Sequence, residues 1–300
     1  MPRHNTPRIS FIGFGEAGQA IAAGLREHGI ERITAWDILF PQAEGEKLRA
    51  AGDGMGVRLA SSAQDAVRET DIIISAVTAA SSREAAESVA PHLAGNPWYL
   101  DINSVSPGRK QASAALLDGR ARYVDVAVIA PIHPKRHRTP LLISGPHAET
   151  VAPLLHELDM QLTVVSDATG AAAAIKMIRS VMIKGIEALT LECFLAARRA
   201  GVLDEVTASL KNNYPGLDWP KMSAYNLERM ASHGERRAAE MEESAATLRE
   251  LGLEPLMVDA TIERQREMGA LGQKETVRAS LDQGRAAVLD AISAAKKNSG

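Results

Sequence analysis

From residue 8 to about residue 165, short apolar runs alternate with segments whose apolar positions recur every three or four residues. The runs at 8–12, 32–37, 57–59, 71–76, 98–102 and 122–128 read as strands, and the stretches at 17–28, 62–69, 81–92 and 109–117 as amphipathic helices. Strands separated by helices imply βαβ units and a parallel sheet with both faces covered. The run Ile72-Ile73-Ile74, followed by Ala76 and Val77, has the unbroken apolar character of a strand buried on both sides. Two further strands at 141–144 and 162–166 bracket a helix at 148–158. Beyond Asp167 the strand pattern stops. Residues 168–200 form one alanine- and leucine-rich segment, and the rest reads as helices, one of them at 226–251, with breaks at 214–219 and 252–255. The expected architecture is α/β, a doubly wound parallel sheet over residues 1–166 followed by an all-α C-terminal domain over 167–300, ending in a frayed KKNSG tail.

Composition agrees with two globular domains. The chain has 300 residues, 45% hydrophobic and 24% charged, which excludes long disorder. Aromatic residues make up only 4%, so Ala, Leu, Ile and Val must build the core. A formal net charge of -3 gives no pull toward nucleic acid or an anionic membrane, and neither is expected as a partner. The longest stretch without Asp, Glu, Lys or Arg, 88–100, is too short to span a bilayer and contains Pro91, His92 and Pro97. The basic N-terminus leads into an apolar run that ends in glycines within a few residues, a strand and not a secretory signal. The single cysteine, Cys193, permits no internal disulfide and no cysteine-rich metal site, which points to the reducing cytoplasm. Cys193 lies in an apolar helical stretch and reads as a core residue, with a catalytic thiol as the other reading.

The first strand runs directly into Gly13-Phe14-Gly15-Glu16-Ala17-Gly18, which opens the first helix. Strand, G-x-G-x-x-G, helix, and an acidic residue (Asp37) ending the next strand together make a Rossmann dinucleotide signature. Gly13 permits the tight turn, Gly15 lets backbone approach a pyrophosphate, and Gly18 lets the helix pack on the strand. Asp37 suits the adenosine ribose hydroxyls and would repel a 2′-phosphate, and Ile38, Leu39 and Phe40 supply no arginine to neutralise one. NAD is therefore expected over NADP. Ala76, Val77 and Thr78, at the end of the fourth strand, should line the adenine and nicotinamide side.

Four regions resemble the β-hydroxyacid dehydrogenase family, which includes 3-hydroxyisobutyrate and 6-phosphogluconate dehydrogenases. They are the N-terminal glycine loop; Asp101-Ile102-Asn103-Ser104-Val105-Ser106-Pro107, similar to D-x-S-T-x-S-P; Asp125-Val126-Ala127-Val128, similar to D-A-P-V; and 170–178 (GAAAAIKMI), similar to G-x-G-x-x-x-K. The resemblance extends over nearly the whole chain, to a branch with a phosphogluconate-dehydrogenase-like C-terminal domain. It implies that Lys176 is the catalytic acid/base, that Asn103 contacts the nicotinamide ribose or substrate, and that Ser104 contacts substrate. The chemistry agrees, since alcohol oxidation needs a proton acceptor, and a lysine beside a cationic ring in an apolar cleft would have a depressed pKa.

Two departures stand out. Where the family has Asn, or His then Asn, after the lysine, this chain has Arg179 and Ser180, on one helix face with Lys176 and near Lys184. Arg179 is suited either to a substrate carboxylate or to a pair with Glu149 or Asp167. Where the family has an S-G-G substrate loop, this chain has Ile129-Ala130-Pro131 and then His133, Lys135, Arg136, His137 and Arg138. That basic stretch reads equally as an anion site, for substrate or cofactor phosphates, and as a solvated loop. With no acidic or cysteine partner nearby in the sequence, His133 and His137 are not expected to hold a metal.

In the C-terminal domain His233, Arg236, Arg237 and Glu240 form a polar stripe beside Met230, Met241 and Leu248. The stripe is either a solvated face, or His233 and Arg237 complete an anion site, across a dimer interface as in phosphogluconate dehydrogenases. Asn212, Asn213, Tyr214 and Tyr225 are further cleft candidates. Long apolar helices favour a homodimer. The sequence thus predicts an NAD-dependent oxidoreductase acting on a small anionic β-hydroxyacid or its carbonyl form. The alternatives are an imine reductase or decarboxylating dehydrogenase on the same scaffold, and a non-catalytic NAD sensor.

Overall fold

The computed structural model describes residues 6–297, so the last three residues of the KKNSG tail lie outside it. In chain order the first part comprises β1 (Ile9–Ile12), α1 (Glu16–Glu27), β2 (Ile33–Trp36), α2 (Glu46–Gly54), β3 (Arg58–Leu59), α3 (Ala63–Val67), β4 (Ile72–Ser75), α4 (Ser82–Val89), β5 (Trp98–Asp101), α5 (Pro107–Leu116), β6 (Arg122–Val128), β7 (Leu141–Ser144), α6 (Ala148–Glu157) and β8 (Leu162–Ser166). Five helices follow the sheet's last crossover: α7 (Ala171–Ala200), α8 (Leu203–Asn213), α9 (Trp219–Glu250), α10 (Leu256–Gly272) and α11 (Glu275–Ser280); α12 (Arg285–Lys297) closes the described chain.

The strands form one sheet in the order β3-β2-β1-β4-β5-β6-β7-β8, the doubly wound Rossmann arrangement with two strands added at one edge. Every neighbouring pair is parallel except β6 and β7, where Val128 faces Leu141 and Asp125 faces Ser144. The parallel expectation fails at that pair for a definite reason. No crossover helix separates the two strands, only a loop with a 3-10 turn at Arg136–Arg138, so the chain returns antiparallel.

Apolar residues of one strand serve two cores. Ile72 and Ile74 pack with Phe11, Ile21, Leu25 and, from α6, Val151 and Leu155; Ile73 packs on the other face with Tyr99, Val67, Ala86 and Val89. Burial on both faces is why β4 shows no polar alternation. The helix α2 escaped the hydrophobic pattern because glycines sit in and beside it. One of them, Gly52, packs under Leu59, whose Cδ2 would lie 2.5 Å from a Cβ there.

The chain divides into two compact units, Met1–Lys176 and Met177–Gly300, so the first turns of α7 belong with the sheet. The helical unit is cored by Leu191, Phe194, Leu227, Met230, Met268, Leu289 and Ile292, with a second cluster around Met241, Val258 and Ile262. The helix read at 226–251 begins earlier, at Trp219, where Asp218 accepts from Lys221 N at 3.1 Å and Pro220 occupies the first turn. Cys193 corrects the core reading: it is exposed, because α7 turns Leu191, Phe194 and Leu195 inward and leaves Cys193 off that stripe. No helix among the described residues is long and apolar enough to cross a membrane.

Candidate functional site

The glycine turn lies at the end of β1, where its backbone meets the end of β4. Gly13 has φ +91°, and a Cβ there would lie 2.4 Å from Ala76 O, so the turn requires glycine twice over. A Cβ on Gly18 would lie 2.7 Å from Gly13 O, which fixes how closely α1 packs on its own turn. Gly15 caps α1 with no side-chain hydrogen bond, and nothing lies within 4 Å of where its Cβ would project. Space is thus open beside the start of α1, and a helix start is where backbone N–H groups receive a phosphate. Glu16 is exposed and Ala17 half-buried at this rim, while Phe14 is buried between Phe11 and Phe40. The Asp37 carboxylate closes the turn: Oδ2 accepts from Phe14 N at 2.7 Å and Oδ1 from Leu39 N at 3.0 Å.

Beside this turn, Asn103 ties two strand ends together. Its Oδ1 accepts from Val77 N at 2.7 Å, its Nδ2 donates to Ser75 Oγ at 2.9 Å, and its own N–H donates to Asp101 Oδ1 at 3.0 Å. Asn103 is buried and its amide holds the Ala76–Val77 backbone in place; Thr78 is exposed, its Oγ1 donating to Ser81 Oγ. The next residue, Ser104, is half-buried, and its Oγ accepts from Lys176 Nζ at 2.5 Å.

Lys176 is delivered there by a buried charge cluster that the sequence did not disclose. Lys110, on α5 and fully buried, donates through Nζ to Asp101 O at 2.6 Å and sits 3.1 Å from Asp101 Oδ1 and 3.4 Å from Asp125 Oδ1. Tyr123 donates to Asp101 Oδ2 at 2.8 Å, and burial beside these carboxylates pushes its phenol well above the usual range. Asp125 Oδ2 accepts from Ser144 Oγ at 2.9 Å and from Ala173 N at 3.1 Å, while Ser144 Oγ accepts from Ala172 N at 3.0 Å. The carboxylate and hydroxyl therefore satisfy free N–H groups of the first turn of α7 and oppose its positive end. Gly170, at φ +99°, lies against Pro107, where a Cβ would come 3.2 Å from the Pro107 carbonyl oxygen. Lys176 follows about one turn later, aimed by these contacts.

The basic stretch after β6 turns away from the glycine end of α1. Arg136 pairs with Glu27, Arg138 lies 2.5 Å from Asp159 Oδ2, and His137 packs on Gly24, all toward the C-terminal part of α1. Burial holds the His137 imidazole below its ordinary pKa, and Arg138 pushes the same way. Ala130 is half-buried and Pro131 exposed.

In the helical unit, Ser180 is buried and its Oγ accepts from Lys184 Nζ at 3.0 Å; Lys184 is also buried and pairs with Glu240 at 3.0 Å. Arg179 is exposed. Arg237 fits neither sequence reading cleanly, since it is buried and its guanidinium grips Glu187, which also accepts from Gln265 Nε2 at 2.9 Å. His233 is half-buried, and burial first, then Arg229 and Arg236, lower its pKa. Asn212, Asn213, Tyr214 and Tyr225 are exposed. The signal for Lys110, Lys184 and Glu187 was present as charges on the inward stripes of amphipathic helices, a pattern that marks a paired buried charge only once the partner is known.

Residues 8–103 match the family model described as NADP oxidoreductase, coenzyme F420-dependent, and residues 197–268 match a domain of unknown function, DUF1932. A conserved hypothetical protein from Sinorhizobium meliloti is 35% identical, with 97% of each chain covered and a TM-score of 0.79. A conserved protein of unknown function, described as structurally similar to 3-hydroxyacid dehydrogenases, is 29% identical over 88% of this chain and 97% of its own, TM-score 0.71. The Mycobacterium tuberculosis 3-hydroxyisobutyrate dehydrogenase, solved with L-serine, shares the fold at 16% identity, covering 97% and 99%, TM-score 0.71. The V8 variant of an imine reductase from Myxococcus stipitatus, solved with NAD+, shares it at 22% identity, covering 96% and 99%, TM-score 0.60. Glycine turn, Asp125-anchored α7 and whole-chain similarity converge: the protein belongs to a β-hydroxyacid dehydrogenase-like family and has the oxidoreductase scaffold common to hydroxyacid dehydrogenases and imine reductases.

Proposed function

We propose that the protein is an NAD-dependent oxidoreductase acting on a small anionic β-hydroxyacid or its carbonyl form, with Lys176 as the general acid/base. The observation that carries this reading is the 2.5 Å contact between Lys176 Nζ and Ser104 Oγ, in the same unit as the glycine turn. The residues present suit a dinucleotide. Gly13, Phe14, Gly15, Glu16, Ala17 and Gly18 would hold the pyrophosphate at the open start of α1, Asp37 the adenosine ribose, and Ala76, Val77 and Thr78 the adenine and nicotinamide side. When bound, the nicotinamide supplies the hydride acceptor or donor. Lys176 takes the hydroxyl proton in oxidation and returns it in reduction. Ser104 orients the amine through its hydroxyl, and Asn103 acts behind it by fixing the Val77 backbone.

Ala130 and Pro131 are proposed as substrate contacts from the sheet unit, and Arg179, Ser180 and His233 as substrate contacts from the helical unit. Arg237 keeps a supporting part in that proposal through its grip on Glu187. In this reading the sheet unit binds NAD and the helical unit serves substrate binding and dimerisation. The homodimer rests on the exposed apolar face of α7, where Met182 is 65% and Leu189 55% exposed.

The test is turnover of purified protein with NAD(H), followed at 340 nm, against small hydroxyacids and their carbonyl and imine counterparts. Turnover of a hydroxyacid or its carbonyl is expected, and Lys176→Ala should slow it by about 10²–10⁴-fold with cofactor affinity little changed. Binding of NADH with no turnover on any substrate would instead identify a sensor, and turnover confined to imines would replace the hydroxyacid.

A further inference from the structure

The sequence offers His137 no acidic partner nearby, but the fold supplies one. His28 caps the C-terminus of α1, His137 sits in the 3-10 turn between β6 and β7, and Asp159 follows α6 at φ 58°. One ligand atom from each of these residues, an imidazole nitrogen from each histidine and a carboxylate oxygen, lies within 4.8 Å of the other two. His28 Nδ1 is 4.0 Å from Asp159 Oδ2, and the two imidazole centroids are 6.0 Å apart.

His137 makes this more than a chance gathering. It is 5% exposed, and neither ring nitrogen has a hydrogen-bond partner among the described residues. A buried imidazole always carries polar nitrogens, and leaving both unmet is a desolvation cost that no hydrogen bond among the described residues offsets. The ring is also deliberately seated. A Cβ on Gly24 would come within 2.1 Å of His137 Nδ1, so α1 carries an interior glycine, unfavourable for a helix, where the imidazole rests.

We propose that His28, His137 and Asp159 form a binding site for a divalent transition-metal ion of the zinc type. Two imidazoles and a carboxylate are a borderline donor set that suits zinc, cobalt or nickel and disfavours magnesium and calcium, which prefer oxygen alone. Ligands at about 2.0–2.1 Å from a tetrahedral ion lie roughly 3.3–3.5 Å apart, so the three groups need to close by about an ångström. The His28 and Asp159 side chains are partly exposed, and His28 Nε2 lies 3.1 Å from Glu157 O, which leaves Nδ1 for the ion. Arg138 is the built-in competitor, since its guanidinium lies 2.5 Å from Asp159 Oδ2 on a side chain that is 55% exposed. Metal binding requires it to swing aside. The site is at the far end of α1 from the glycine turn, about 18 Å along a twelve-residue helix, so its metal takes no part in hydride chemistry. It staples the loop carrying Ala130 and Pro131 to α1 and to the α6–β8 turn.

The experiment is titration of chelator-stripped full-length protein with cobalt(II), read by its visible d–d bands, and with zinc by competition. One equivalent should bind. His137→Gln and Asp159→Asn should each weaken binding by about tenfold or more, while Arg138→Gln should tighten it by removing the competing cation. His28→Gln, at a half-exposed position, provides a ligand variant if His137→Gln fails to fold by circular dichroism. No binding below millimolar metal, or affinity unchanged in the His28, His137 and Asp159 variants, overturns the proposal; the second result would mean that the metal sits on other histidines.

Discussion

At the scale of single residues, Asp37 and Ser104 each hold local structure and are each proposed to meet the cofactor or substrate. Asp37 accepts from Phe14 and Leu39 backbone N–H groups, so it shapes the turn whether or not a ribose is present. Its remaining acceptor capacity and its negative charge are what the NAD assignment uses. Asp37→Asn keeps an acceptor for Phe14 and removes the charge. The ratio of kcat/KM for NAD to that for NADP is therefore expected to fall by about tenfold, on the order of the repulsion between a carboxylate and a 2′-phosphate at a partly exposed site. An unchanged ratio would mean that Asp37 shapes the turn and reads no phosphate. The turn of Gly13, Gly15, Gly18 and Asp37 was legible in the sequence because its spacing is local, and at Gly13 and Gly18 a Cβ would clash. The use of the Asn103 amide to hold Val77 and Ser75 was not, because those partners lie on a neighbouring strand.

At the scale of elements, the decisive object is the start of α7. Asp125 and Ser144, from the antiparallel pair β6 and β7, satisfy Ala173 and Ala172 N–H, and Lys110 balances the carboxylates from α5. A buried lysine between two buried aspartates is costly to break: Lys110→Met leaves both carboxylates unmatched and should destabilise the protein by about 3–5 kcal/mol. Thermal or urea denaturation checks this, and a loss below about 1 kcal/mol would show that the cluster is dispensable. The motifs containing Asp101 and Asp125 were visible, and so were the strands bearing them, because continuous apolar runs mark strands buried on both faces. Lys110 was hidden because nothing local tells a buried helix lysine from a solvated one. The reversal of β7 was hidden in a loop where no helix pattern announced the return. Cys193 was misread because the stripe of Leu191, Phe194 and Leu195 and its own position are adjacent in sequence but not on the helix surface.

For the whole molecule, the sheet unit holds the glycine turn, Asp37, Asn103, Ser104 and Lys176 together, and exposed Met182 and Leu189 on α7 form the apolar face proposed to pair two copies. Multi-angle light scattering should give twice the chain mass, and Met182→Lys with Leu189→Lys should shift the protein toward monomer; a wild-type monomer at micromolar concentration would remove the dimer. Fold class and cofactor turn could be read from periodicity and spacing, while the substrate could not. The residues proposed to contact it come from a departed loop and from helices whose polar groups, Arg237 and Lys184 among them, largely pair with each other. The proposed chemistry depends on Lys176 moving a proton beside the nicotinamide. Its most direct test is single-turnover hydride transfer at 340 nm in Lys176→Ala with the best substrate, alongside cofactor binding by fluorescence. A rate reduced by about 10²–10⁴-fold with cofactor affinity within about twofold is expected; hydride transfer at the wild-type rate would contradict it.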